Sequence, residues 1–241
     1  MPAPPPAVIL AAGRGSRLAA GGADGAAKLV QPVAGQPLFE RTFYALERAG
    51  CREIVVVTGW RADEVEHAVT TGYSGSARLT FVTNPRFDLA NGVSVLCARP
   101  LVGDRFVLAM GDHLFEADLV ARAVGHLPPE GGVSVFVDGD IHGVFDLDDA
   151  MKVRAAENRI VAIGKDLTQF NCIDTGLFAA TPGLMATLDA LQRRRGDAAL
   201  ADGIRELAAQ GLAEAVEVAG ACWQDIDTPA MLAHAESLFR D

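Results

Sequence analysis

The chain of 241 residues is poor in cysteine and has no long apolar segment. Its four cysteines are scattered, and no two of them form a Cys-x-x-Cys pair. This spacing argues against a zinc site and predicts reduced thiols in a cytoplasmic enzyme. The N-terminal residues lack the charge and the apolar length of a signal peptide, and no apolar stretch approaches the roughly 20 residues of a membrane span. We therefore expect a cytoplasmic protein without a membrane span.

The sequence also lacks a sustained cluster of basic residues. Its formal net charge is −10, and its longest basic run, Arg193 to Arg195, ends a predicted helix. Proteins that bind nucleic acid normally carry a basic patch that faces the phosphate backbone. We therefore expect no nucleic acid partner.

What the sequence does contain is an apolar strand that leads into a glycine loop with basic residues. The run from Ala7 to Leu10 is typical of a short buried strand. Gly13 and Gly15 allow backbone angles that a side chain would block, so backbone N–H groups can approach an anion closely. Arg17 and Lys28 place positive charge near this loop. The combination predicts a binding site for a polyphosphate.

Two common phosphate loops fit this segment badly. A Walker loop needs Gly-Lys-Ser/Thr, whereas Gly15 is followed by Ser16 and Arg17. A dinucleotide-binding fingerprint needs a small residue where Leu18 stands. It also needs an acid at the end of the second strand, which ends here at Thr58.

A third pattern matches the whole segment. Residues 10–17 read Leu-Ala-Ala-Gly-Arg-Gly-Ser-Arg, and residues 28–38 read Lys-Leu-Val-Gln-Pro-Val-Ala-Gly-Gln-Pro-Leu. They fit the loop Leu-Ala-Ala-Gly-x-Gly-x-Arg and the following lysine and Pro-x-x-Gly-x-Pro-Leu segment of nucleotidyltransferases. The chain therefore resembles the sugar-nucleotide and alcohol-phosphate nucleotidyltransferases, a superfamily that includes MobA-like proteins.

The order of predicted elements indicates an α/β fold. Strands alternate with helices, one of them predicted at 91–99, and this rhythm implies right-handed βαβ units and a mostly parallel sheet. Strand-like segments beyond residue 130 suggest an antiparallel insertion, on the side that would bind the acceptor of the transferred nucleotidyl group. Together with the resemblance, this predicts a Rossmann-like three-layer α/β/α architecture of the GT-A nucleotidyltransferase type. We expect one domain over residues 1–241, with a nucleotide-binding half at about 1–130 and an acceptor-binding half at about 131–241.

Three acidic residues follow predicted strands. Asp112 comes directly after the apolar run 106–110, and Asp225 and Asp227 come shortly after the last strand. Ligands of open α/β sheets bind at the carboxyl ends of strands, where carboxylates can hold Mg²⁺ against nucleotide phosphates. Helix capping is the alternative for Asp112 and Asp227. We expect His113 to be structural or to support its neighbours.

A second group of motifs follows in a fixed order along the chain. Asn84, Asn91, Gly92 and Ser94 lie between the third strand and a helix, where they can contact a base, although Asn91 could also simply cap that helix. The motifs Asn-Gly-x-Ser, Gly-Asp-His, Gly-Lys-x-Leu and Asp-Thr-Gly then follow one another. This order is similar to that of the CTP:inositol-1-phosphate cytidylyltransferases, which the chain resembles over nearly its entire length.

The resemblance implies a transfer of CMP from CTP to a phosphorylated small alcohol, with Mg²⁺ as the cofactor and pyrophosphate as the second product. Arg17, Lys28 and Asp112 are implied as catalytic residues. Lys165 and Asp174 are implied to bind the acceptor, and Asp112, Asp225 and Asp227 to bind the metal ion. The residues implied to bind the nucleotide are Leu10, Ala11, Ala12, Gly13, Gly15, Arg17, Asn84, Asn91, Gly92, Ser94 and Asp112.

Other functions remain open at this stage. A sister enzyme could use choline phosphate or a sugar 1-phosphate, but choline recognition usually needs an aromatic box. The chain has only two Trp and two Tyr, and just Trp223 adjoins the predicted site. A non-catalytic nucleotide-binding module is disfavoured because Arg17, Lys28, Asp112 and Asp225 occur together. The sequence leaves open which alcohol is used and whether the protein is a homodimer.

Overall fold

The computed structural model describes residues 3–15 and 27–239. The strands of this part are β1 (Ala7–Ala11), β2 (Pro32–Val33), β3 (Gln36–Pro37), β4 (Glu53–Thr58), β5 (Arg78–Thr83), β6 (Phe106–Met110), β7 (His113–Phe115), β8 (Val133–Asp138), β9 (Lys152–Ala156), β10 (Arg159–Gly164), β11 (Cys172–Ala180), β12 (Ala213–Glu217) and β13 (Trp223–Asp225). The helices are α1 (Leu38–Arg48), α2 (Ala62–Gly72), α3 (Asn91–Cys97), α4 (Ala117–Gly125), α5 (Pro182–Arg195), α6 (Leu200–Ala209) and α7 (Pro229–Leu238), with 3₁₀ turns at Lys28–Val30 and Arg99–Leu101.

Nine of these strands form one sheet, in the order β5-β4-β1-β6-β11-β8-β12-β10-β9. The first four strands in this order are parallel to one another. Parallel strands need crossover connections, and helices supply them here, so both faces of this half are covered. The predicted α/β architecture with a mostly parallel mixed sheet is confirmed.

Alternate residues of the central strands belong to two different cores. Val8 and Leu10 pack in one core with side chains of α3, α5 and α6. Ala7 and Ile9 point the other way, into a core with side chains of α1, α2 and α4. Successive side chains of a strand point to opposite faces, so a continuous apolar run fits a strand that is covered on both sides. The apolar run of β1 is therefore buried on both faces, between the two outer layers of helices.

The second half of the sheet is mostly antiparallel. Strand β11 runs antiparallel to β6 and to β8, and β10 runs antiparallel to β9 and β12, whereas β12 is parallel to β8. The first residues of β11 also pair with β9, so the sheet turns back on itself. A register shift in the β11–β8 pair lies between Asp174 and Phe178. The predicted antiparallel insertion is therefore present, and it bends around the residues that follow β6.

A small sheet that the sequence did not reveal lies beside the large one. In it β7 pairs antiparallel with β13, and His113 lies opposite Asp225. Each strand has three residues, which is too short for a recognisable alternation of polar and apolar side chains. Asp225 comes after β12, the last strand of the large sheet along the chain, as the sequence suggested, but it lies within β13 and not in a loop. It reaches the site through this separate pairing.

One predicted helix is shorter than expected. The helix predicted at 91–99 ends at Cys97 and continues as the 3₁₀ turn Arg99–Leu101. Pro100 lies in this turn, and a proline disfavours the α conformation of the residue before it. None of the helices in the described part of the chain has the length and apolar character needed to cross a membrane.

Candidate active site

Lys28 bridges two carboxylates near the carboxyl ends of β1 and β6. Its Nζ atom donates a hydrogen bond to Asp112 Oδ2 at 2.8 Å and another to Asp227 Oδ1. The three side chains are largely buried, with exposed fractions of 16% for Lys28, 21% for Asp112 and 14% for Asp227. Charged side chains that are this buried need partners of opposite charge. One ammonium group faces two carboxylates here, so the cluster is negative as a whole.

Backbone contacts hold this cluster together. The N–H of Gly111 donates to the carbonyl oxygen of Leu10 at 2.9 Å, and a Cβ atom at position 111 would lie 2.5 Å from that oxygen. A glycine is therefore needed where the chain leaves β6. The N–H of Ile226 donates to the carbonyl oxygen of Asp112 at 2.8 Å, which brings the neighbouring Asp227 to Lys28.

The glycine loop packs against the same lysine. Gly15 has a φ of +59°, which side chains rarely adopt, and a Cβ atom there would lie 2.8 Å from Lys28 Cγ. Within the described part of the chain, a Cβ atom added at Gly13 would meet no atom within 4 Å apart from its chain neighbours. The segment from 16 to 26, and with it Arg17, lies outside the described residues. The roles assigned to Arg17 therefore stay predictions.

The other residues of the loop make contacts mainly through their backbone atoms. Leu10 and Ala12 are buried, and the carbonyl oxygen of Ala12 accepts a hydrogen bond from the N–H of Trp60 at 3.1 Å. Ala11 is the last residue of β1 and pairs with Thr58. These residues fix the position from which the loop leaves the sheet.

Asn84 and Ser94 hold the next loop against α3. Asn84 Nδ2 donates to Ser94 Oγ at 3.0 Å, and Asn84 Oδ1 accepts from the N–H of Arg86 at 2.9 Å. Both side chains are buried. These polar groups hydrogen-bond within the loop and to α3, so they hold the loop in position.

Asn91 and Gly92 join α3 to α6. Asn91 Oδ1 accepts a hydrogen bond from the N–H of Leu200 at 2.9 Å, at the start of α6. The N-cap of α3 is Ala90, so Asn91 does not cap its own helix. A Cβ atom at Gly92 would lie 2.5 Å from the carbonyl oxygen of Ala198, so only glycine allows this close approach.

His113 holds the second oxygen of the Asp112 carboxylate. Its Nδ1 atom lies 2.9 Å from Asp112 Oδ1. Burial alone would raise the pKa of Asp112, but the hydrogen bond with His113 and the charge of Lys28 outweigh it and hold that pKa well below its usual range. Burial opposes a charged imidazole, yet the hydrogen bond to Asp112 and the nearby carboxylates raise the pKa of His113. Asp112 is therefore ionised at neutral pH.

Two further carboxyl groups line the same region. Burial raises the pKa of Asp174 to about 6, although its Oδ1 accepts a hydrogen bond from the N–H of Gly176 at 2.8 Å. Burial and the negative charge of Asp112 also raise the pKa of Asp225, against the lowering effect of His113. Raised carboxyl pKa values in a cavity are a common sign of a functional site.

Lys165, at the end of β10, is paired with Asp149. Lys165 Nζ donates to Asp149 Oδ1 at 2.7 Å, and its exposed fraction is 47%. Lys152 Nζ donates to the backbone oxygens of Asp148 and Lys165, at 3.2 and 2.8 Å. The two lysines thereby tie the segment before β9 to the end of β10.

A cavity of about 210 Å³ is lined by many of the side chains described above. We call it the central cavity. Polar groups in its wall come from Asn91, Asp112, His113, Asp149, Lys165, Asp174, Asp225 and Asp227. Aromatic rings in its wall come from Phe145, Phe178 and Trp223. The structure thus brings together the predicted metal and acceptor residues in one space, whereas Asn84 and Ser94 are not in the wall.

Sequence reasoning named Trp223 but missed Phe145 in this wall and the partner of Lys165. Phe145 lies in a segment without strand or helix signals, and its ring stacks on His234 of α7 with centroids 4.5 Å apart. Asp149 lies in the same segment, among several other acids. No local pattern distinguishes either residue, because their roles depend on contacts with distant parts of the chain.

The donor set of the cluster fits a hard cation. Mg²⁺ prefers carboxylate oxygens as protein ligands. The carboxylate groups of Asp112, Asp225 and Asp227 line the central cavity. Within residues 3–15 and 27–239, no group of three His, Cys, Asp or Glu side chains is already arranged as a metal site. The ammonium group of Lys28 instead lies between Asp112 and Asp227.

Known proteins resemble this chain in sequence and fold. It is 36% identical to a "Bifunctional IPC transferase and DIPP synthase" of Rubrobacter xylanophilus, over 96% of this chain and 51% of that protein. It is 32% identical to a protein of the same name from Archaeoglobus fulgidus, over 92% of this chain and 41% of that protein. The chain therefore spans about half the length of the curated relatives it matches.

A solved structure supports the same relationship. The inositol-1-phosphate CTP transferase from T. maritima superposes with a TM-score of 0.85 and 25% identity, covering 100% of this chain and 98% of that one. The MobA-like NTP transferase domain matches residues 7–215 of the sequence. The chain belongs to the family of MobA-like NTP transferase domains, and it is a nucleotidyltransferase.

Proposed function

We propose that this protein is a Mg²⁺-dependent cytidylyltransferase that joins CMP from CTP to inositol 1-phosphate and releases pyrophosphate. The observation that carries the proposal is the central cavity, whose wall contains Asp112 and Asp227, both bound to Lys28, together with Lys165 and Asp174. The names of the curated relatives and of the T. maritima enzyme support the choice of substrates.

The chemistry needs no protein nucleophile. An oxygen of the acceptor phosphate attacks the α-phosphorus of CTP, the bond from that phosphorus to the bridging oxygen breaks, and pyrophosphate leaves with the electron pair. Catalysis of this kind depends on positioning the two phosphates and on stabilising the charge that develops between them. Lys28 lies where its ammonium group can do this, at the junction of the glycine loop and the carboxylates.

Nucleotidyltransferases of this family typically use a divalent metal ion. Mg²⁺ would neutralise phosphate charge and orient the α-phosphate, with Asp112, Asp225 and Asp227 as its protein ligands. Lys28 would then leave the position between two carboxylates and turn to the phosphates.

We assign nucleotide binding to residues of about 1–130 and acceptor binding to about 131–241. The glycine loop lies in the first part, and most of the wall of the central cavity lies in the second. Lys165 is the cation that would meet the acceptor phosphate, in exchange for its bond to Asp149. Asp174 would accept hydrogen bonds from the hydroxyl groups of the polyol. Four unpaired cysteines and the nucleotide substrate support a cytoplasmic location.

One observation favours a second acceptor. Phe145, Phe178 and Trp223 all line the central cavity, so its wall is more aromatic than the sequence indicated. Aromatic faces attract quaternary ammonium groups. Choline phosphate is therefore the second candidate, although the paired Lys165 and Asp149 suit a polyol phosphate equally well.

The test is a pyrophosphate-release assay with CTP, UTP, ATP and GTP. Each nucleotide is combined with inositol 1-phosphate, choline phosphate or glucose 1-phosphate, with Mg²⁺ or with EDTA. We expect turnover with CTP and inositol 1-phosphate, none in EDTA, and none with Asp112→Asn at ordinary Mg²⁺. Faster turnover with choline phosphate would support the second candidate. Turnover that persists in EDTA would contradict the metal assignment.

A further inference from the structure

His113 and Lys28 each contact one of the two oxygens of the Asp112 carboxylate. Asp112 Oδ1 lies 2.9 Å from His113 Nδ1, and Asp112 Oδ2 lies 2.8 Å from Lys28 Nζ. An ionised carboxylate has only acceptors, so the imidazole must supply the proton of the first hydrogen bond. A carboxylate group rotates freely unless both oxygens are held. The two bonds therefore fix which oxygen faces the cluster.

The imidazole ring is itself held from several sides. It lies nearly parallel to the ring of Trp223, at 9° with centroids 6.4 Å apart, and to that of Phe115, at 20° with centroids 6.1 Å apart. Both rings come from the small sheet, where Trp223 pairs with Phe115.

Strand β11 closes the third side of the ring. Gly176 has a φ of +79°, and a Cβ atom there would lie 2.6 Å from His113 Cδ2 and 2.8 Å from its Nε2. The position lies within the register shift of the β11–β8 pair, and the N–H of Gly176 donates to Asp174 Oδ1. A glycine in an irregular part of the strand thus makes room for the imidazole, and the backbone of β11 confines it.

We propose that His113 is a positioning residue whose Nδ1–H holds Asp112 Oδ1, so that Oδ2 is the oxygen presented to the metal ion and the nucleotide. This inference rests on the proposed function, because it assigns the metal to Asp112. Partners of ligating groups orient those groups, and their removal typically costs about 10–100-fold in metal affinity. The sequence left open whether His113 is structural or supports its neighbours, and its contact with Asp112 Oδ1 favours the second role.

Two substitutions distinguish the roles of the two ring nitrogens of His113. In His113→Asn the amide nitrogen can take the place of Nδ1, whereas in His113→Gln it takes the place of Nε2. Only the first can donate to Asp112 Oδ1. His67→Gln serves as the control, because His67 is an exposed residue of α2.

The readout is Mn²⁺ affinity in the presence of CTP and without acceptor, measured by electron paramagnetic resonance. We expect about a 10-fold weaker affinity for His113→Gln, near-normal affinity for His113→Asn, and no change for His67→Gln. With acceptor added, His113→Gln should need more Mg²⁺ for half-maximal turnover while its KM for inositol 1-phosphate stays the same.

Each outcome decides the proposal. Equal losses in the Asn and Gln variants, or a raised KM for the acceptor with unchanged Mn²⁺ affinity, would overturn it. Melting temperatures of the variants show whether they fold. If the wild-type protein transfers no cytidylyl group, the proposed function fails, whereas the Mn²⁺ comparison still tests the role of His113.

Discussion

Replacing Lys28 by methionine tests the charge cluster directly. The substitution keeps most of the side-chain volume but removes the ammonium group that holds Asp112 and Asp227 together. Two largely buried carboxylates would then lose the cation that they share. Like charges in such a position repel and raise each other's pKa values. We therefore expect the variant to be less stable in the absence of divalent metal ions.

The size of the effect follows from the burial of the three side chains. Removing one partner of a buried ion pair typically costs about 3–5 kcal/mol of the free energy of unfolding. Because the three side chains keep exposed fractions of 14–21%, we take the lower end, about 3 kcal/mol. For a domain of this size, 1 kcal/mol corresponds to a shift in Tm of about 2–4 °C, so we expect a decrease of about 6–12 °C.

The assay is thermal unfolding in EDTA and in Mg²⁺ across a range of pH. A Mg²⁺ ion can replace the missing ammonium group, so added Mg²⁺ should raise the Tm of Lys28→Met more than that of the wild type. Asp112 has a lowered pKa in the folded state, so its ionic contribution is present above its ordinary pKa and is lost as the pH falls below it. The difference between wild type and variant should therefore shrink in acid.

Lys165→Met is the matched control. Lys165 also pairs with an aspartate, but it is 47% exposed, and exposed ion pairs contribute about 0–1 kcal/mol. Its Tm should change by no more than a few degrees, with no special response to Mg²⁺. If Lys28→Met melts at the wild-type temperature in EDTA, or if Mg²⁺ stabilises both proteins equally, the reasoning about the cluster is wrong.

Three further predictions follow from the same site. Asp112→Asn should lower kcat by orders of magnitude in the pyrophosphate assay, and near-normal turnover would exclude Asp112 as a metal ligand. Lys165→Ala should raise KM for the phosphorylated acceptor, and calorimetry should find CTP affinity unchanged, because the ion-pair partner of Lys165 is Asp149 and not a residue of the cluster at Lys28. Asp174→Asn should raise Tm more at pH 7.5 than at acid pH. The pKa of Asp174 is raised to about 6 in the folded state, so the free-energy cost of its ionisation grows as the pH rises from its ordinary pKa to about 6, and reaches at most about 3 kcal/mol. A Tm difference that did not depend on pH would contradict this account.

The sequence determined the fold class and the family. Apolar runs such as 7–10 are long enough to indicate buried strands, and their alternation with helices limits the connections to a few topologies. The loop at 10–17 and the segment at 28–38 identified nucleotidyltransferases because both patterns are local in sequence. The predictions of fold and family are confirmed, whereas the roles of individual residues remain predictions.

Tertiary structure alone decided how the site is arranged. The pairing of β7 with β13 joins segments that are more than 100 residues apart, and it places Asp225 opposite His113. The bonds from Lys28 to Asp112 and Asp227 span 84 and 199 residues. Such contacts leave no periodic signal, because each partner is chosen by the packing of the whole chain. The sequence could therefore name the charged residues, but only the folded chain shows that one lysine lies between two carboxylates and that a histidine contacts one of them.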